Sequence, residues 1–594
     1  MSCDKLVFDL SQEIEGSPAV FVKKDWISIL DNMNQSYNSN QSVIDTSQLS
    51  NSNKYMSYRE GYLSIPLLIT ITNDAAATGP IIPATAANSC DLAVGLKNWF
   101  GSIIHSFTLD YNGTTIVQQT PFINMWNSFK LMTTLSWADV ATIGSTIGFY
   151  PDDPLAWSFE AYAAAGTVVG SGVCNNSNLA TAGNSAASAG RFNSFHSQTG
   201  NMGLLARQQY IQFDPAGTTG ATGSQYSTIM TAANAQSLWK SHISTRQNYA
   251  AGPPVVAPVW QCSVMATVYL KHIHSFFQQC PLLKGVFMKM TLNLNNTTTT
   301  ITRGSAASGA ATQQIALVSN GVGGVNPLMI ASTVANNGGN GISADGTGAT
   351  LLYDLSVGAT VLSPTVASKV GGAGGVLGRS IQLYVPAYTF NPSFESAYLS
   401  SPVKTIKYTD VYQYQVVSVP KDGQFNQLLT NGIAGIKSVL ILPFFVAGTA
   451  ATTTGSDLPS GIQPWQSPFD PAGTGPTSPL CHITNFNVVV SGQNMLYNTQ
   501  RYTYEQFNNQ LLGVNAVNGG LTDGLTSSLI NSLGFEMEYC YYYVDCSRML
   551  PVEETVPKSV QIIGTNTTQR SLQFICFIEY GCSVSIDVLT GARV

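Results

Sequence analysis

The stretch EMEYCYYYVDCSRMLPVEETVPKSVQIIGTN (residues 536–566) decides how the chain reads. Its first fifteen residues hold two cysteines, four tyrosines, an aspartate and an arginine, so it is either a reactive cluster or a strand. Cys540 and Cys546 lie six positions apart, which on an extended strand means one face and about 20 Å, well beyond disulfide reach. Cys576 and Cys582 repeat that spacing in the last apolar segment, and no histidine follows either pair to serve as a base. Such thiols read as small buried hydrophobes. Tyr539, Tyr541 and Tyr543 then alternate onto one face, and Cys540, Tyr542, Val544 and Cys546 onto the other. One face is expected to pack inside a β-sandwich. The other is expected to meet a neighbouring domain, where tyrosine offers an apolar ring with a polar tip. Asp545 and Arg548 mark the solvated end.

The pattern strand, proline-containing connector, strand occurs once more, in VWQCSVMATVYLKHIHSFFQQCPLLKGVFMKMTLNLN (residues 259–295). Chemistry is not repeated between the two stretches; apolar bulk is. The likeness extends backwards. In residues 91–113 a short helix, Gly101 and a strand are expected, with Ile103, His105, Phe107 and Leu109 on one face and a hairpin turn at Asn112-Gly113. A helix should follow, with Thr120 as N-cap, Pro121 first, and Phe122, Met125, Trp126 and Phe129 as its apolar stripe. In the second half, NQLLTNGIAGIKSVLILPFF (residues 426–445) reads as helix, glycine, strand. Then come a strand with a tight turn at Ser491-Gly492-Gln493-Asn494 and a helix over RYTYEQFNNQLL (residues 501–512). Each half ends on an apolar strand, from Ser380 and from Leu572. Two β domains of one layout follow, joined near Pro392 and Pro402.

Composition agrees. At 594 residues the chain could hold four average domains, but all-β domains often run to about 200–250 residues, so two or three suffice. Charged residues make up 10% of the chain, against about 25% in average soluble domains. Ser, Thr, Asn, Gln and Gly take their place, and such a surface favours self-association. The net charge of −6 and only 26 Lys and Arg argue against nucleic-acid binding as the main task. MSCDKLVFDL lacks the apolar core of a signal peptide, so reduced thiols are expected. The run VLILPFFVAG from Val439 is too short to cross a bilayer. Residues 1–50, rich in Asn, Ser and Gln, read as an arm anchored by Phe21, Trp26 and Ile29. Residues 157–245 and 296–378 read as large insertions on a β scaffold.

The remaining candidate chemistry is sparse. His272 and His274 would share one face of a strand, but no carboxylate or third histidine lies beside them. Asp152-Asp153 and Glu553-Glu554 are adjacent pairs, which face opposite ways on a strand and make poor acid/base partners. GGAGGVLGR (residues 371–379) lacks the flanking strand and helix of a nucleotide loop. No catalytic, cofactor-binding or metal-binding residues are assigned, and no enzyme activity is expected.

At this point the sequence resembles the double jelly-roll major capsid proteins of virophages and Polinton-like viruses. The stretches that carry the resemblance are residues 16–72, FFQQCPLLKGVFMKMTLNLNN (276–296), LYVPAYTFNPSFESAYLSSPVKTIKYTDVYQYQV (383–416) and VDCSRMLPVEETVPKSVQI (544–562). They span both halves; the two insertions carry none of it. The resemblance implies an all-β fold of two tandem eight-stranded jelly rolls with large loop insertions and short helices: an arm over 1–50, a first jelly roll over 51–391 and a second over 392–594. It implies a shell protein that forms pseudo-hexagonal homotrimers in an icosahedral virion, assembled inside the host cell. Penton and minor capsid proteins would be its partners, with no cofactor, no specific nucleic-acid contact and no transmembrane segment. Some relatives lose a C-terminal segment on maturation; none is expected here, since the chain stops at SIDVLTGARV. Aromatic anchors for assembly are expected at Trp26, Tyr37, Tyr388, Phe390, Phe394 and Tyr398. The competing expectation is a jelly-roll adhesion or glycan-binding spike or minor capsid protein. It would need an exposed aromatic cluster beside carboxylates on one loop face, and the insertions are poor in Trp and in Asp or Glu.

Overall fold

A computed structural model of the chain describes residues 19–73, 92–151, 259–303, 380–445, 481–518, 529–547 and 554–593, apart from breaks of one to three residues, with further segments at 160–163, 167–170, 209–211, 315–319, 328–332 and 350–358. The first half contributes β1 (Phe21–Leu30), β2 (Gln41–Asp45), β3 (Tyr62–Asn73), β4 (Ile104–Tyr111), β5 (Thr114–Val117), β6 (Val259–Tyr269), β7 (Met288–Leu294) and β8 (Gln382–Phe390). They pair antiparallel in two sheets, in the orders β1-β8-β3-β6 and β2-β7-β4-β5. The second half contributes β9 (Val403–Val419), β10 (Gln424–Ile433), β11 (Ile436–Phe445), β12 (Ile483–Val490), β13 (Gln493–Asn494), β14 (Tyr542–Asp545), β15 (Lys558–Asn566) and β16 (Leu572–Asp587). Its sheets, β9-β16-β11-β14 and β10-β15-β12-β13, repeat both orders strand for strand. Eight antiparallel strands shared between two sheets in this order make a jelly roll. The chain is all-β and folds as two of them in tandem. Its helices are short: α1 (Ile123–Thr134), α2 (Trp137–Ile147), α3 (Leu270–Ile273), α4 (Ser275–Gln279), α5 (Pro392–Leu399) and α6 (Tyr504–Asn518).

Alternation in the sequence builds each sandwich. Leu63, Ile65, Leu67 and Ile69 of β3 turn inward, as do Met288, Met290, Leu292 and Leu294 of β7. In the second half Phe486, Val488 and Val490 of β12 and Val560 and Ile562 of β15 do the same. The hairpin between β4 and β5 turns at Asn112 and Gly113, with φ of 45° and 78°, and that between β12 and β13 at Ser491 and Gly492, with φ of 49° and 84°. Two consecutive positive φ values give the tight turn whose twist matches a hairpin. These equivalent turns fix the alignment of the halves: each leads into a helix, α1 or α6.

Parts of the insertions add strands. Thr350–Val357 pairs with β3 beyond the end of β8, and Thr297–Arg303 and Ile315–Ser319 extend the sheet outward from it. Leu92–Leu96 lies between Gln209–Ile211 and Leu328–Ser332, so both insertions meet in one small sheet. Glu160–Ala163 and Thr167–Gly170 pair as a separate two-stranded ribbon. Most of the remaining insertion residues lie outside the described residues, as do the glycine-rich stretch 371–379 and the pairs Asp152-Asp153 and Glu553-Glu554, except Glu554.

Three expectations are corrected. Residues 21–45, assigned to an arm, supply β1 and β2 of the first jelly roll. The polar link between them is a turn, in which Asn34, Gln35 and Asn40 take positive φ, a conformation asparagine tolerates. Residues 426–433 and 92–96, read as helical, are in strands; pairing with β15 and with the insertion sheet overrides their Leu-rich helical propensity. Helix α1 begins at Ile123 rather than Pro121: Phe122 is its N-cap, in a left-handed conformation.

Candidate functional site

The tyrosine strand β14 sits where the two jelly rolls meet. Tyr542 points into its own sandwich, its ring 5.1 Å from Phe486 and 5.1 Å from Tyr502. Its hydroxyl donates to the Cys481 carbonyl at 3.2 Å and accepts from the Ile483 amide at 3.0 Å. Tyr541 and Tyr543 point the other way, onto α1 of the first half, with ring centroids 5.0 and 5.3 Å from Phe129. Trp126 reaches Phe577 of β16 at 5.9 Å. The outer face of this sheet is therefore closed by α1, which is why residues 572–579 are buried on both faces and read as a continuous apolar run. The cysteines are core. Cys540 and Cys546 are buried with their thiols against backbone carbonyls, and burial pushes Cys546 up to about 12, so Cys546 supplies no thiolate. Arg548 lies outside the described residues.

Polar groups complete this junction. β9 is an edge strand, and its outward backbone groups would invite another strand. Ser275 of α4 prevents this: its Oγ accepts from the Thr409 amide at 2.9 Å and donates to the Thr409 carbonyl at 2.5 Å. Thr120, expected as a helix cap, instead donates its hydroxyl to the Val411 carbonyl across the junction at 2.7 Å. Beside them Lys130 of α1 lies 3.3 Å from Glu579 of β16. Glu579 also accepts from Ser438 at 2.8 Å and from Thr409 at 3.0 Å. Burial pushes its carboxyl up, but Lys130 and these hydroxyls outweigh that and hold it below the usual range. A cleft of about 520 Å³ opens here, lined by residues of both halves including Lys130, Lys271, His272, Lys437 and Glu579.

The histidine pair does not form a metal site. His272 belongs to α3 and His274 caps α4, so they do not share a strand face. His274 accepts from the Phe276 amide through Nδ1, leaving Nε2 to face Asp410 at 3.4 Å. His272 packs edge-on to Tyr269 and Trp99, and burial together with Lys271 lowers it to about 4. Among the described residues no group of three or more His, Cys, Asp or Glu could hold a metal ion. No described helix is long and apolar enough to cross a membrane.

The six expected anchors separate into distinct environments. Trp26 is exposed, at 51%, on the outer face of β1. Tyr388 is half-buried, donates to Glu60 at 2.7 Å and lies under the Lys24 ammonium. Tyr37 is a correction: it is fully buried, its hydroxyl accepts from the Ile381 amide at 2.8 Å, and its ring fills the space beside Gly358, where a Cβ would come within 2.6 Å of it. Phe390 is also buried. With Phe394 and Tyr398 it packs around Tyr55 and Val588, tying α5 and the chain end to the first half. That packing is within the chain. Phe21, expected as an anchor of the N-terminal segment, is exposed beside Trp26, and sequence reading missed the rest of that strip: Val20, Val22 and Leu30 are also exposed on or beside β1. The alternation of apolar residues in AVFVKKDWISIL was the available signal.

No family model matches the chain, and no curated protein does. Solved structures do. The chain is similar to a protein in the cryo-EM structure of the Sputnik virophage at 10% identity, over 97% of this chain and 88% of that one, with a TM-score of 0.46. It is similar to the mavirus major capsid protein at 10% identity, over 98% and 92%, with a TM-score of 0.39. The Faustovirus major capsid protein matches at 9% identity, over 98% and 94%, also with a TM-score of 0.39.

Proposed function

We propose that the chain is the main building block of a viral shell, assembling as pseudo-hexagonal homotrimers that tile an icosahedral capsid. The observation that carries this reading is the way the two jelly rolls join. They share one strand order, yet the junction uses different surfaces on each: a helix and connector of the first half against a sheet face and edge of the second. A head-to-tail contact between like units generates a ring when its rotation closes. Six jelly rolls, hence three chains, would close such a ring. The low charge of the surface supports the same reading, since wide contacts between copies then bury few ions, whose desolvation is costly. The sequence resemblance to double jelly-roll capsid proteins points the same way.

In this reading the chain resides in the virion and is assembled in the host cell. Penton and minor capsid proteins fill the positions its trimers leave, and other proteins neutralise the genome. Of the six anchor residues, Trp26 and Tyr388 are the ones placed to meet a neighbour; Phe394 and Tyr398 contribute where the α5 surface is open. Size-exclusion chromatography with light scattering tests the reading. A stable species of three times 63.3 kDa is expected. A persistent monomer that binds glycans would instead favour an adhesion protein.

A further inference from the structure

The two halves also meet through the segment that follows β16. After Asp587 the chain turns back on itself. The Gly591 amide donates to the Asp587 carbonyl at 2.7 Å, the Asp587 amide donates to the Ala592 carbonyl at 2.9 Å, and Arg593 bridges to Ile586. The tip of this turn rests on the first half. The Gly591 carbonyl accepts from the side chain of Asn112, in the hairpin between β4 and β5. A Cβ on Gly591 would lie 3.1 Å from the carbonyl oxygen of Gly285, and its φ is 68°. Glycine is therefore required here twice, for the conformation and for the close approach.

Val588, at the root of the turn, is fully buried, and its amide donates to the Pro402 carbonyl at 2.9 Å. It packs with Tyr55, Leu282 and Phe390 of the first half and with Phe394 and Tyr398 of α5. These six residues form a hydrophobic cluster separate from the main core, which contains residues of both sandwiches. Helix α5 is the covalent link between the halves, and none of its residues is fully buried. It is held by the cluster. Tyr398 stacks on Phe390 at 5.3 Å and donates to the Leu282 carbonyl at 2.8 Å, and Glu395 accepts from the Tyr55 hydroxyl at 2.9 Å. Ser400 and Ser401 follow and are exposed. A satellite cluster that shares no residue with the main core can open without breaking it.

We infer that residues 588–593 are a latch on the link between the halves. Docked on Asn112, Gly285 and the cluster around Tyr55, they hold α5 and Pro402 in place. Their release frees α5 and the turn as one cooperative unit, while both sandwiches and the α1 junction stay folded. Val588 contacts the chain on both sides of the exposed Ser400-Ser401 pair, Tyr398 before it and Pro402 after it. In the closed form that pair cannot extend into a protease; in the open form it can. The latch is a property of the single chain and does not require the assembly proposed above.

Hydrogen exchange of the full chain, read by mass spectrometry, tests this. In the unmodified chain the hydrogen-bonded amides of Glu395, Ser400, Val588 and Gly591 should share one protection factor, at least about tenfold below that of β3 and β12. Val588→Asp should lower that shared protection at least about tenfold further and speed subtilisin cleavage at Ser400-Ser401 by a similar factor, with β3 and β12 changed less than about threefold. Gly591→Val leaves every ring of the cluster in place and should act in the same direction through the Gly285 contact. If both variants leave protection and cleavage unchanged, the turn holds nothing. If Val588→Asp lowers protection in β3 and β12 as much as at Ser400, the cluster belongs to the main core and there is no latch. Should the variants fail to fold, the unmodified chain still decides: protection at Val588 and Gly591 equal to that of β3 and β12 overturns the separate opening.

Discussion

Ser275 in the first jelly roll holds both backbone groups of Thr409 in the second, accepting from its amide at 2.9 Å and donating to its carbonyl at 2.5 Å. One hydroxyl thus satisfies two outward groups of an edge strand. Ser275→Ala removes both bonds and leaves a part-buried donor and acceptor unpaired, a cost of about 1–3 kcal/mol. Urea unfolding should show it as a lower midpoint at unchanged slope. No change in midpoint would mean that water replaces the hydroxyl without penalty.

Trp126 and Phe129 supply the apolar part of the same junction. Trp126→Ala should cost about 3–5 kcal/mol, as for other buried aromatic truncations. The loss falls between the halves rather than inside either sandwich. Calorimetry should therefore split a single unfolding transition into two. A single transition that merely shifts would place the ring in one half's core.

Lys130 and Glu579 should respond unequally to mutation. Lys130 can turn toward water, being about a third exposed, whereas Glu579 is 9% exposed. Lys130→Met strands a buried carboxylate and should cost about 3 kcal/mol or more, while Glu579→Gln leaves a cation that can hydrate and should cost less. The pH dependence follows from the depressed carboxyl of Glu579. Its contribution is present above the unfolded value near 4.5 and is lost as pH falls through the lower folded value. Urea midpoints of the two variants at pH 7, and of the native chain from pH 6 to pH 3, check both statements; equal costs for the two variants would contradict the asymmetry.

His105 is buried against Phe122, and burial lowers it from 6.5 to about 4. The unfolded chain takes up a proton near pH 6.5 while the folded chain does not. Stability is therefore full above 6.5 and declines as pH falls toward 4, by about 3 kcal/mol for this one group. His105→Phe keeps a ring at the site and should flatten that decline. A slope identical to that of the native chain would show that His105 protonates as freely folded as unfolded.

Much of this was legible in the sequence because it is written in local alternation. The two faces of the tyrosine strand, the hairpin turns at Asn112-Gly113 and Ser491-Gly492, and the helix after each turn all depend on residues close together in the chain. The parts that were not legible depend on distant partners. Thr120 precedes a helix and looks like its cap; only the position of Val411, 291 residues later, makes it a clasp. The stretch 426–433 has a helical composition, and its strand conformation is imposed by β15. β1 looks like part of a polar arm until β8 supplies its hydrogen bonds. Tyr37 and Phe390 look like exposed anchors because aromatic residues in a polar context suit interfaces, but both fill space within their own chain.

The most direct measurement of the central claim is electron microscopy of the purified chain, with two-dimensional averages of single particles. The account predicts six-lobed, hexagonal outlines with threefold symmetry, each built from three chains of two lobes. Two-lobed single chains at all concentrations, or closed dimers, would contradict it.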